Sequence, residues 1–438
     1  MKPELSSVWD HETDVVVVGL GGAGACAAIE AHRAGAEVVV LERFSGGGAT
    51  AISGGVVYAG GGTDIQKQAG VKDDTESMRA YLDQEIEGVV SQETIRAFCN
   101  GSAESLRWLT ELGLQFEGSL CPHKTSYPND NYFLYYSGNE AAEPYRSHAR
   151  PAPRGHRVKG KGLPGRAFYE PLHKEVVRQG TETRLHSRAS ELILDDSGRV
   201  VGVLYQEIPA GIWSRLHGSI ENLAARFALF LPAIANRLRN VGRRIEERHA
   251  EARRIRARQG VILTTGGFIN NPRMVEEYAP DYMSGLPIGT AGCSGDGIEL
   301  GQAIGAKLQH MQNISAWLFL NPPHAFMHGI LIDQRGKRFV NESLYGAVIG
   351  GQMVEQANGM GILIIDSTLK KLGRSQIGRG QTQTFQTVPA LVNLMINCRK
   401  ANDIEELARI CHCDMQELKN TLEEYTEAAR SGAPDAFG

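Results

Sequence analysis

The sequence predicts an α/β fold followed by a second, α+β domain. A β-branched run, Asp14–Val18, leads directly into a glycine motif and a helix of small residues. Strand patterns recur at 185–205 and 254–265, and a strand–turn–strand pattern follows at 329–340. Glycine accounts for 51 of 438 residues and clusters beside these runs, which is typical of backbone that packs closely against a ligand.

The first strand and helix begin a βαβ unit. The helix ends at Gly35, a second strand covers Glu37–Leu41, and an acidic residue follows it. Glycines in the connecting turn permit a tight bend, close approach of a pyrophosphate and close helix–strand packing, while a carboxylate after the second strand suits ribose hydroxyls. We therefore predict a Rossmann-like dinucleotide-binding domain. Its cofactor-binding residues are predicted to include Gly19, Gly21, Gly22, Ala23, Gly24, Glu42 and Arg43.

A second glycine-rich loop indicates which dinucleotide is bound. Residues 45–55 read SGGGATAISGG. A nicotinamide enzyme has no need of a second glycine loop there, whereas in a flavin enzyme this loop runs along the pyrophosphate and the isoalloxazine edge. We therefore predict FAD, with a surface loop that binds no ligand as the alternative. The further predicted cofactor-binding residues are Gly47, Gly48, Ala49, Thr50, Ser53, Gly54, Gly55, Ala189, Thr265, Gly266, Gly267 and Asp296.

Three later motifs are VILTTGGF at 261–268, GDG at 295–297 and RFVNE at 338–342. With the glycine loops they resemble the flavoprotein family of fumarate reductases, succinate dehydrogenases and flavin-dependent 3-ketosteroid dehydrogenases. The resemblance implies an FAD-binding domain, 1–286, with an inserted α+β substrate domain, 287–432. Several members hold FAD covalently through a histidine in the second glycine loop. No histidine lies within 45–55, so we expect non-covalent FAD.

In this family the chain returns to the FAD domain after the substrate domain. That closing part carries a glycine turn against the flavin ring and a second active-site tyrosine. The resemblance implies that this part is absent after residue 438, so one alternative is a truncated, catalytically dead FAD-binding fragment.

The residues after RFVNE separate the branches of the family. Fumarate reductases resemble one another in an arginine proton donor shortly after this motif, but here no arginine follows Glu342 before Arg374. Tyr345 stands nearby instead. Further segments resemble the ketosteroid dehydrogenase branch, first its 4-ene-forming and then its 1-ene-forming members: KTSYP at 124–128, YYSGNE at 135–140 and PRGHR at 153–157.

The resemblance implies dehydrogenation of a 3-ketosteroid or related cyclic ketone, with loss of an α-proton and transfer of a β-hydride to flavin N5. A tyrosine suits proton transfer in an apolar pocket. Tyr345 is the first catalytic candidate, followed by Tyr135 and Tyr136, and the alternative for each is a buried structural tyrosine. A fumarate-reductase-type ene-reductase is the alternative enzyme. The predicted apolar lining, whose alternative is ordinary core, is Trp317, Phe319, Leu320, Phe326 and Met327.

An insert at about 208–253 differs from its surroundings. Apolar residues spaced by three and four predict an amphipathic helix pair broken at Pro232. From 212 to 258 there are eleven arginines, no lysine, four glutamates and no aspartate. We weigh peripheral contact with an anionic membrane against a hairpin packed on its own domain and against a dimer contact.

Composition bears on the remaining questions of nucleic-acid partners, cellular compartment and metal binding. A net charge of −4 gives no reason to expect a nucleic-acid partner. The seven cysteines are scattered and no apolar leader precedes them, so a reducing, cytoplasmic compartment is expected. Cys411-His412-Cys413 lacks further ligands at zinc-like spacing, and no metal is predicted. The expected partners are a hydrophobic, steroid-like substrate and an external electron acceptor.

Overall fold

The computed structural model describes residues 9–228, 231–318, 320–378, 380–433 and 435–437. The chain divides into two units, each made of two chain segments. Unit 1 comprises residues 1–55 and 164–312, and unit 2 comprises 56–163 and 313–438. The boundary expected at 286/287 thus differs from the division by contacts. The boundary between the FAD-binding domain and the substrate domain therefore stays a prediction.

The strands follow one another along the chain as β1 His11–Val18, β2 Val38–Leu41, β3 Val56–Tyr58, β4 Leu134–Tyr135, β5 Gly155–Arg157, β6 Glu182–Arg184, β7 Ser187–Leu194, β8 Val200–Glu207, β9 Glu251–Leu263, β10 Ile330–Ile332 and β11 Ile362–Ile364. The α-helices are α1 Gly22–Arg33, α2 Gly48–Ile52, α3 Asp64–Gln68, α4 Thr75–Ile86, α5 Gln92–Glu111, α6 Tyr145–His148, α7 Gly165–Arg178, α8 Ile212–Phe227, α9 Pro232–His249, α10 Pro272–Tyr278, α11 Asp296–Ala303, α12 Gly346–Gln356, α13 Ser367–Gln376, α14 Thr384–Val392, α15 Ile404–Cys411 and α16 Met415–Ser431.

Unit 1 is built on a six-stranded sheet of order β6-β2-β1-β9-β8-β7. Strands β6, β2, β1 and β9 run parallel, and β8 and β7 add antiparallel neighbours. Strand β1 lies between β2 and β9 and is parallel to both. The carboxyl ends of these three strands therefore meet at one edge of the sheet. That edge carries the glycine turn after β1, as expected for a dinucleotide-binding sheet.

The continuous apolar run of β1 and β2 follows from burial on both faces of the sheet. Val16 and Val39 are almost wholly buried and belong to one core cluster with residues of β8 and β9. Helix α1 buries the small side chains Ala25 and Ala28 together with Ile29. Small residues let this helix lie close to the strands, which positions its N-terminus at the sheet edge.

Unit 2 contains a three-stranded sheet of order β3-β5-β4 and a two-stranded sheet of β10 and β11. The strand–turn–strand pattern at 329–340 is only partly correct. Strand β10 pairs antiparallel with β11, and Arg338 makes only an isolated bridge to Ile332. The Arg338 guanidinium instead pairs with Glu342, at 2.6 Å, which fixes the RFVNE segment as a turn beside the strand.

The predicted helix pair of the insert is present in unit 1 as α8 and α9, and Pro232 is the first residue of α9. Proline suits that position because the first helical N–H has no partner inside the helix. Four of the eleven arginines of 212–258 lie on β9 rather than on the hairpin. There Arg258 pairs with Asp14 at 2.8 Å and with Glu37 at 2.7 Å, so part of the basic excess is neutralised within the sheet.

Candidate functional site

The glycine turn after β1 is shaped by close backbone approaches. Gly19 has φ of +103°, and a Cβ there would lie 2.7 Å from the carbonyl oxygen of Thr264. A Cβ on Gly24 would lie 1.9 Å from the Gly19 carbonyl oxygen, so only glycine permits this packing of helix on strand. Gly21 differs, because its nearest neighbour is the Gly47 oxygen at 4.0 Å. The turn is therefore tight on its inner side and open at Gly21.

The second glycine loop lies against this turn. The Gly22 amide donates to Thr50 Oγ1 at 3.0 Å, and the Gly47 amide donates to the Leu20 carbonyl at 2.8 Å. A Cβ on Gly48 would lie 3.4 Å from the Gly21 Cα. The two loops predicted from the sequence to share one ligand are thus neighbours in unit 1.

Glu42 closes the site at the end of β2. Its two carboxylate oxygens accept from the amides of Leu20, at 2.7 Å, and Phe44, at 2.8 Å. Burial raises the pKa of Glu42, and the two amide hydrogen bonds act in the opposite direction. The side chain is held against the glycine turn, where the sequence places the ribose of a dinucleotide.

Arg43 and Asp296 belong to an ion-pair network. Arg43 forms a two-pronged pair with Glu246 of α9, with Nε–Oε1 at 2.9 Å and Nη2–Oε2 at 2.8 Å. Its Nη1 lies 3.2 Å from Asp296 Oδ2, which also accepts from Arg188 Nε at 3.0 Å. Burial raises the pKa of Glu246, but the Arg43 pair and the nearby His217, whose Nε2 lies 3.2 Å from Oε1, outweigh burial and hold that pKa at about 2. Sequence reasoning missed Glu246, since no local motif marks a side chain 203 residues from its partner.

The remaining predicted cofactor residues also lie in unit 1. Thr265, Gly266 and Gly267 follow β9, and the Gly295 amide donates to the Gly267 carbonyl at 3.0 Å. Ala189 lies on β7 and is buried in the sheet core. Ala49 lies in α2, while Ser53, Gly54 and Gly55 follow that helix.

The donor set of unit 1 fits a dinucleotide. Helix α1 begins at Gly22, its N-cap Gly21 has no side chain to cap it, and the Gly22 amide donates to Thr50 Oγ1 of the second loop. The side chains of the turn itself are only those of Leu20 and Ala23. Free N–H groups at a helix N-terminus favour a pyrophosphate. The opening at Gly21, the adjoining second loop and the fixed carboxylate of Glu42 complete a site that FAD would occupy through its phosphates and ribose.

The three tyrosines predicted to be catalytic all lie in unit 2. Tyr345 precedes α12, and its amide donates to Asn139 Oδ1 at 2.5 Å. Its ring meets that of Trp317 edge-on, with centroids 5.1 Å apart. Tyr135 is buried at the end of β4, and Tyr136 is the next residue.

Two charged residues that sequence reasoning did not single out share the interior of unit 2 with these tyrosines. Burial raises the pKa of Tyr345, Tyr135 and Tyr136, and the charge of Glu140 raises all three further. Burial also raises the pKa of Glu140 itself, to about 7, and lowers the pKa of Lys124 to about 8. Lys124 belongs to the KTSYP motif and Glu140 to the YYSGNE motif, so these two motifs are the sequence signal that could have identified them.

The residues predicted to line an apolar substrate pocket lie in different environments. Leu320 is buried in a core cluster with Leu331 and Phe339, which favours its reading as core. Trp317 contacts Tyr345. The Phe326 ring packs where a Cβ on Gly373 would lie, at 2.3 Å. Met327 accepts from Asn321 through its sulfur at 2.8 Å. Phe319 lies outside the described residues.

Among the residues that the structure describes, no group of three or more histidine, cysteine, aspartate or glutamate side chains is arranged to hold a metal ion. Within the same residues, none of the helices combines the length and apolar character that crossing a membrane requires.

Comparison with known proteins agrees with this geometry. The chain is 38% identical over 442 residues to 3-oxo-5-alpha-steroid 4-dehydrogenase of Comamonas testosteroni, covering 98% of this chain and 82% of that protein. Its structure is similar to that of 3-ketosteroid-delta4-(5alpha)-dehydrogenase of Rhodococcus jostii RHA1 in complex with 4-androstene-3,17-dione. That match has a TM-score of 0.81 and 31% identity, and it covers 99% of this chain and 80% of the other.

A more distant relative is the fumarate reductase (cytochrome) of Shewanella frigidimarina. It is 24% identical over 439 residues, covering 98% of this chain but only 62% of that protein. The family described as FAD binding domain matches residues 14–437. The resemblance and the α/β fold predicted from the glycine loops are thereby confirmed, and the chain belongs to the FAD binding domain family.

Proposed function

We propose that this protein is an FAD-dependent dehydrogenase that introduces a carbon–carbon double bond next to the ketone of a 3-ketosteroid. The observation that carries the proposal is the likeness, over almost the whole chain, to two steroid 4-dehydrogenases. The residue pattern after RFVNE supports it, because Tyr345 directly precedes α12 and no arginine stands between Glu342 and Arg374. A 4-ene product is the first expectation and a 1-ene product the second.

Bound FAD supplies a hydride acceptor. The protein's own residues then have to remove the α-proton and stabilise the enolate that forms. Tyr345 is the proposed group at the α-carbon, with Tyr135 and Tyr136 as neighbours in the same unit. The residues of unit 1 hold the cofactor: the turn Gly19–Gly24 its pyrophosphate and Glu42 its ribose. Arg43 stabilises that end of the site by pairing with both Glu246 and Asp296.

The test is anaerobic reduction of the purified holoprotein. A 5α-reduced or 4-ene 3-ketosteroid should bleach the flavin bands, and a dye acceptor should restore them because electrons leave through an external acceptor. The same protein, reduced chemically, should not be reoxidised by fumarate. Reoxidation by fumarate without bleaching by any 3-ketosteroid would assign the ene-reductase function instead. Bound flavin that no 3-ketosteroid reduces and that fumarate does not reoxidise would indicate a catalytically dead FAD-binding fragment.

Non-covalent binding of FAD is part of this proposal. Within the second glycine loop the structure shows only glycine, serine, threonine, alanine and isoleucine side chains. Acid precipitation of the holoprotein should therefore leave the flavin in the supernatant. Flavin that remains with the pellet would contradict it.

We further propose that the α8–α9 hairpin contacts an anionic membrane surface. The hairpin turns small or polar residues inward, including Ser214, Gly218 and Ala224 on α8. Apolar side chains point outward instead, such as Ile212, which is 75% exposed, and Leu216, which is 41% exposed. Residues 212–249 carry seven arginines against three glutamates. An exposed apolar face with a basic surround matches the amphipathic helices that lie on anionic lipid.

Flotation with phosphatidylserine-containing vesicles tests this contact. The wild-type protein should float at low salt and less at high salt, because the arginine contribution is screened. The double variant Leu216→Glu, Leu223→Glu should stay at the bottom of the gradient. The control, Val177→Glu with Ile288→Glu, places two charges on exposed apolar residues outside the hairpin and should float. Wild type that never floats but forms a dimer broken by the hairpin variant would assign the face to a second copy.

A further inference from the structure

The backbone of Tyr345 is hydrogen-bonded on both sides of its Cα. Its carbonyl oxygen accepts from the amides of Val348, at 2.9 Å, and Ile349, at 3.1 Å, so this side of the residue belongs to α12. Its amide precedes the helix and has no partner within it. The partner is the side chain of Asn139, whose Oδ1 accepts from the Tyr345 amide at 2.5 Å. The point at which Tyr345 enters α12 therefore depends on a side chain 206 residues earlier in the chain.

Asn139 is itself fixed by three further hydrogen bonds. It is fully buried, and its Nδ2 donates to both carboxylate oxygens of Glu85 on α4, at 3.1 and 2.9 Å. Its backbone amide donates to Tyr81 Oη, also on α4, at 2.9 Å. A carboxylate only accepts and a backbone N–H only donates, so the side chain between them has to offer one donor and one acceptor, as a carboxamide does. Asn139 thus bridges α4 to the start of α12.

The residues around Tyr345 are held by other contacts. The Lys124 ammonium donates to the carbonyl oxygen of Ser343, and the Ser343 amide donates to Asn341 Oδ1 at 2.8 Å. The Tyr345 ring meets that of Trp317 edge-on, with centroids 5.1 Å apart. These contacts fix the preceding segment and the ring, so the bond to Asn139 is the one that fixes the Tyr345 amide itself.

We propose that Asn139 is a positioning residue for the dehydrogenation and sets the place of the Tyr345 hydroxyl. The inference rests on the proposed function, in which Tyr345 takes the α-proton. Proton transfer needs the reacting groups within hydrogen-bond reach of each other. A displacement of about 1 Å, caused by a change away from the reacting atoms, can cost about 10²-fold in rate. In this role Asn139 acts through Tyr345 and not on the steroid.

A double-mutant cycle tests whether Asn139 acts through Tyr345. Asn139→Asp keeps an acceptor for the Tyr345 amide but sets a second carboxylate against Glu85, and the like charges should drive the two side chains apart. The rate constant of flavin reduction at saturating 3-ketosteroid should fall by about 10- to 10²-fold, with the dissociation constant of the steroid and the FAD content unchanged. In a Tyr345→Phe background the same change should cost no more than about twofold, because the hydroxyl that it positions is already gone.

A matched control makes the same chemical change elsewhere in unit 2. Asn420 of α16 is exposed and accepts from Gln416 Nε2 at 2.9 Å. Asn420→Asp should therefore leave the rate of flavin reduction unchanged in both backgrounds.

A reciprocal exchange tests the bridge itself. In the variant Asn139→Asp with Glu85→Gln, donor and acceptor change places, so the carboxylate at position 139 accepts both from the Tyr345 amide and from the carboxamide at position 85. This variant should recover most of the rate that Asn139→Asp loses. Glu85→Gln alone should lose little, because an acceptor for Asn139 Nδ2 remains. A general loss of packing would not be recovered by the exchange.

The outcomes separate this inference from the proposed function. Wild type that no 3-ketosteroid reduces would overturn the proposed function, and the role of Asn139 with it. Wild type that is reduced, with Asn139→Asp reduced equally fast, would overturn only the role of Asn139. An equal loss with and without the Tyr345 hydroxyl would make Asn139 a structural residue and would also overturn the inference.

If Asn139→Asp does not fold, Glu85→Leu decides. That change removes the anchor of Asn139 on α4 and leaves its bond to the Tyr345 amide in place. A lower rate of flavin reduction that is confined to the chain with Tyr345, and absent from the Tyr345→Phe background, supports the inference. Any other result overturns it.

Discussion

Two buried glutamates, one in each unit, differ in how their charge is compensated. Glu246 of unit 1 accepts two hydrogen bonds from Arg43 and lies 3.2 Å from His217. Together these groups keep the pKa of Glu246 at about 2. Glu140 of unit 2 has one oxygen with no hydrogen-bond partner among the described residues, and burial raises its pKa to about 7. A carboxylate paired with cations stays charged and fixed in place, whereas a buried one without such a pair can gain or lose a proton near neutral pH. The difference matches the roles proposed above, cofactor binding in unit 1 and proton transfer in unit 2.

The largest expected effect tests the reactive side of this comparison. Tyr345→Phe removes only a hydroxyl, so packing against Trp317 is kept while proton transfer is lost. We expect flavin reduction by a 3-ketosteroid to slow by about 10²–10⁴-fold, with FAD content unchanged. Stopped-flow bleaching measures the rate. Bleaching at the wild-type rate would make the tyrosine structural and direct attention to Tyr135 and Tyr136.

The next effect tests the compensated side. Glu246→Ala leaves Arg43 and His217 without their shared carboxylate, and removing one partner of a buried pair costs about 3 kcal/mol. Urea unfolding should show a lower stability, and fluorescence titration a weaker affinity for FAD. Glu247→Ala, on the same helix but with an exposed carboxylate, is the control. Equal stability of the two variants would mean that Arg43 is held by Asp296 alone.

A smaller effect is expected at the ribose end of the cofactor site. Glu42→Ala removes the acceptor of two backbone amides and a partner for the ribose, so FAD affinity should fall by about ten- to a hundredfold, or about 1.5–3 kcal/mol. Titration of the apoprotein with FAD measures the dissociation constant. Glu42→Gln should lose less because one amide acceptor is kept, and Glu191→Ala, exposed on β7, should lose nothing. An unchanged constant for Glu42→Ala would refute the ribose assignment.

The two glutamates should also make the free energy of unfolding depend on pH, in opposite senses. The lowered pKa of Glu246 makes it stabilising above the usual glutamate value of about 4.3, and this contribution is lost as pH falls toward about 2. The raised pKa of Glu140 makes its ionisation costly, so stability is lost as pH rises from about 4.3 to about 7.

Unfolding of wild type, Glu246→Gln and Glu140→Gln across pH 2–8 checks these signs. The Glu246 variant should differ from wild type least in acid, while the Glu140 variant should gain relative to wild type above neutrality. Parallel curves for wild type and Glu140→Gln would show that the carboxyl group is compensated by a partner after all.

The two regions also differ in how much of them the sequence predicts. Gly19, Gly24 and Glu42 belong to one continuous βαβ stretch, so their arrangement follows from local backbone rules, and the structure places them as expected. Tyr345 and Asn139 lie 206 residues apart and are joined by a hydrogen bond from the Tyr345 amide to Asn139 Oδ1. Such a pairing depends on tertiary packing, and the acidity of Glu140 depends on burial, which no local pattern records.

The same reason explains the errors in the fold. The turn predicted within 329–340 is present after Asp333, whose carboxylate accepts from the Arg335 and Lys337 amides. The predicted partner strand of β10 is wrong, because β10 pairs with β11, about thirty residues further along the chain. Likewise Glu246 was recognised only as part of a basic helix, although its carboxylate is bonded to the residue after Glu42.

The central position of β1 has a consequence for synthesis of the chain. Its parallel partner on one side, β9, pairs His11 with Ile255 and Val18 with Leu263. At a ribosomal rate of about 5–20 residues per second, that partner emerges roughly 12–50 s after β1. Until then one edge of β1, whose second half is the apolar run Val15–Val18, has no neighbour, and such edges invite aggregation. The nascent chain should therefore be a substrate for chaperones that shield exposed strands, and slow translation should lower its yield.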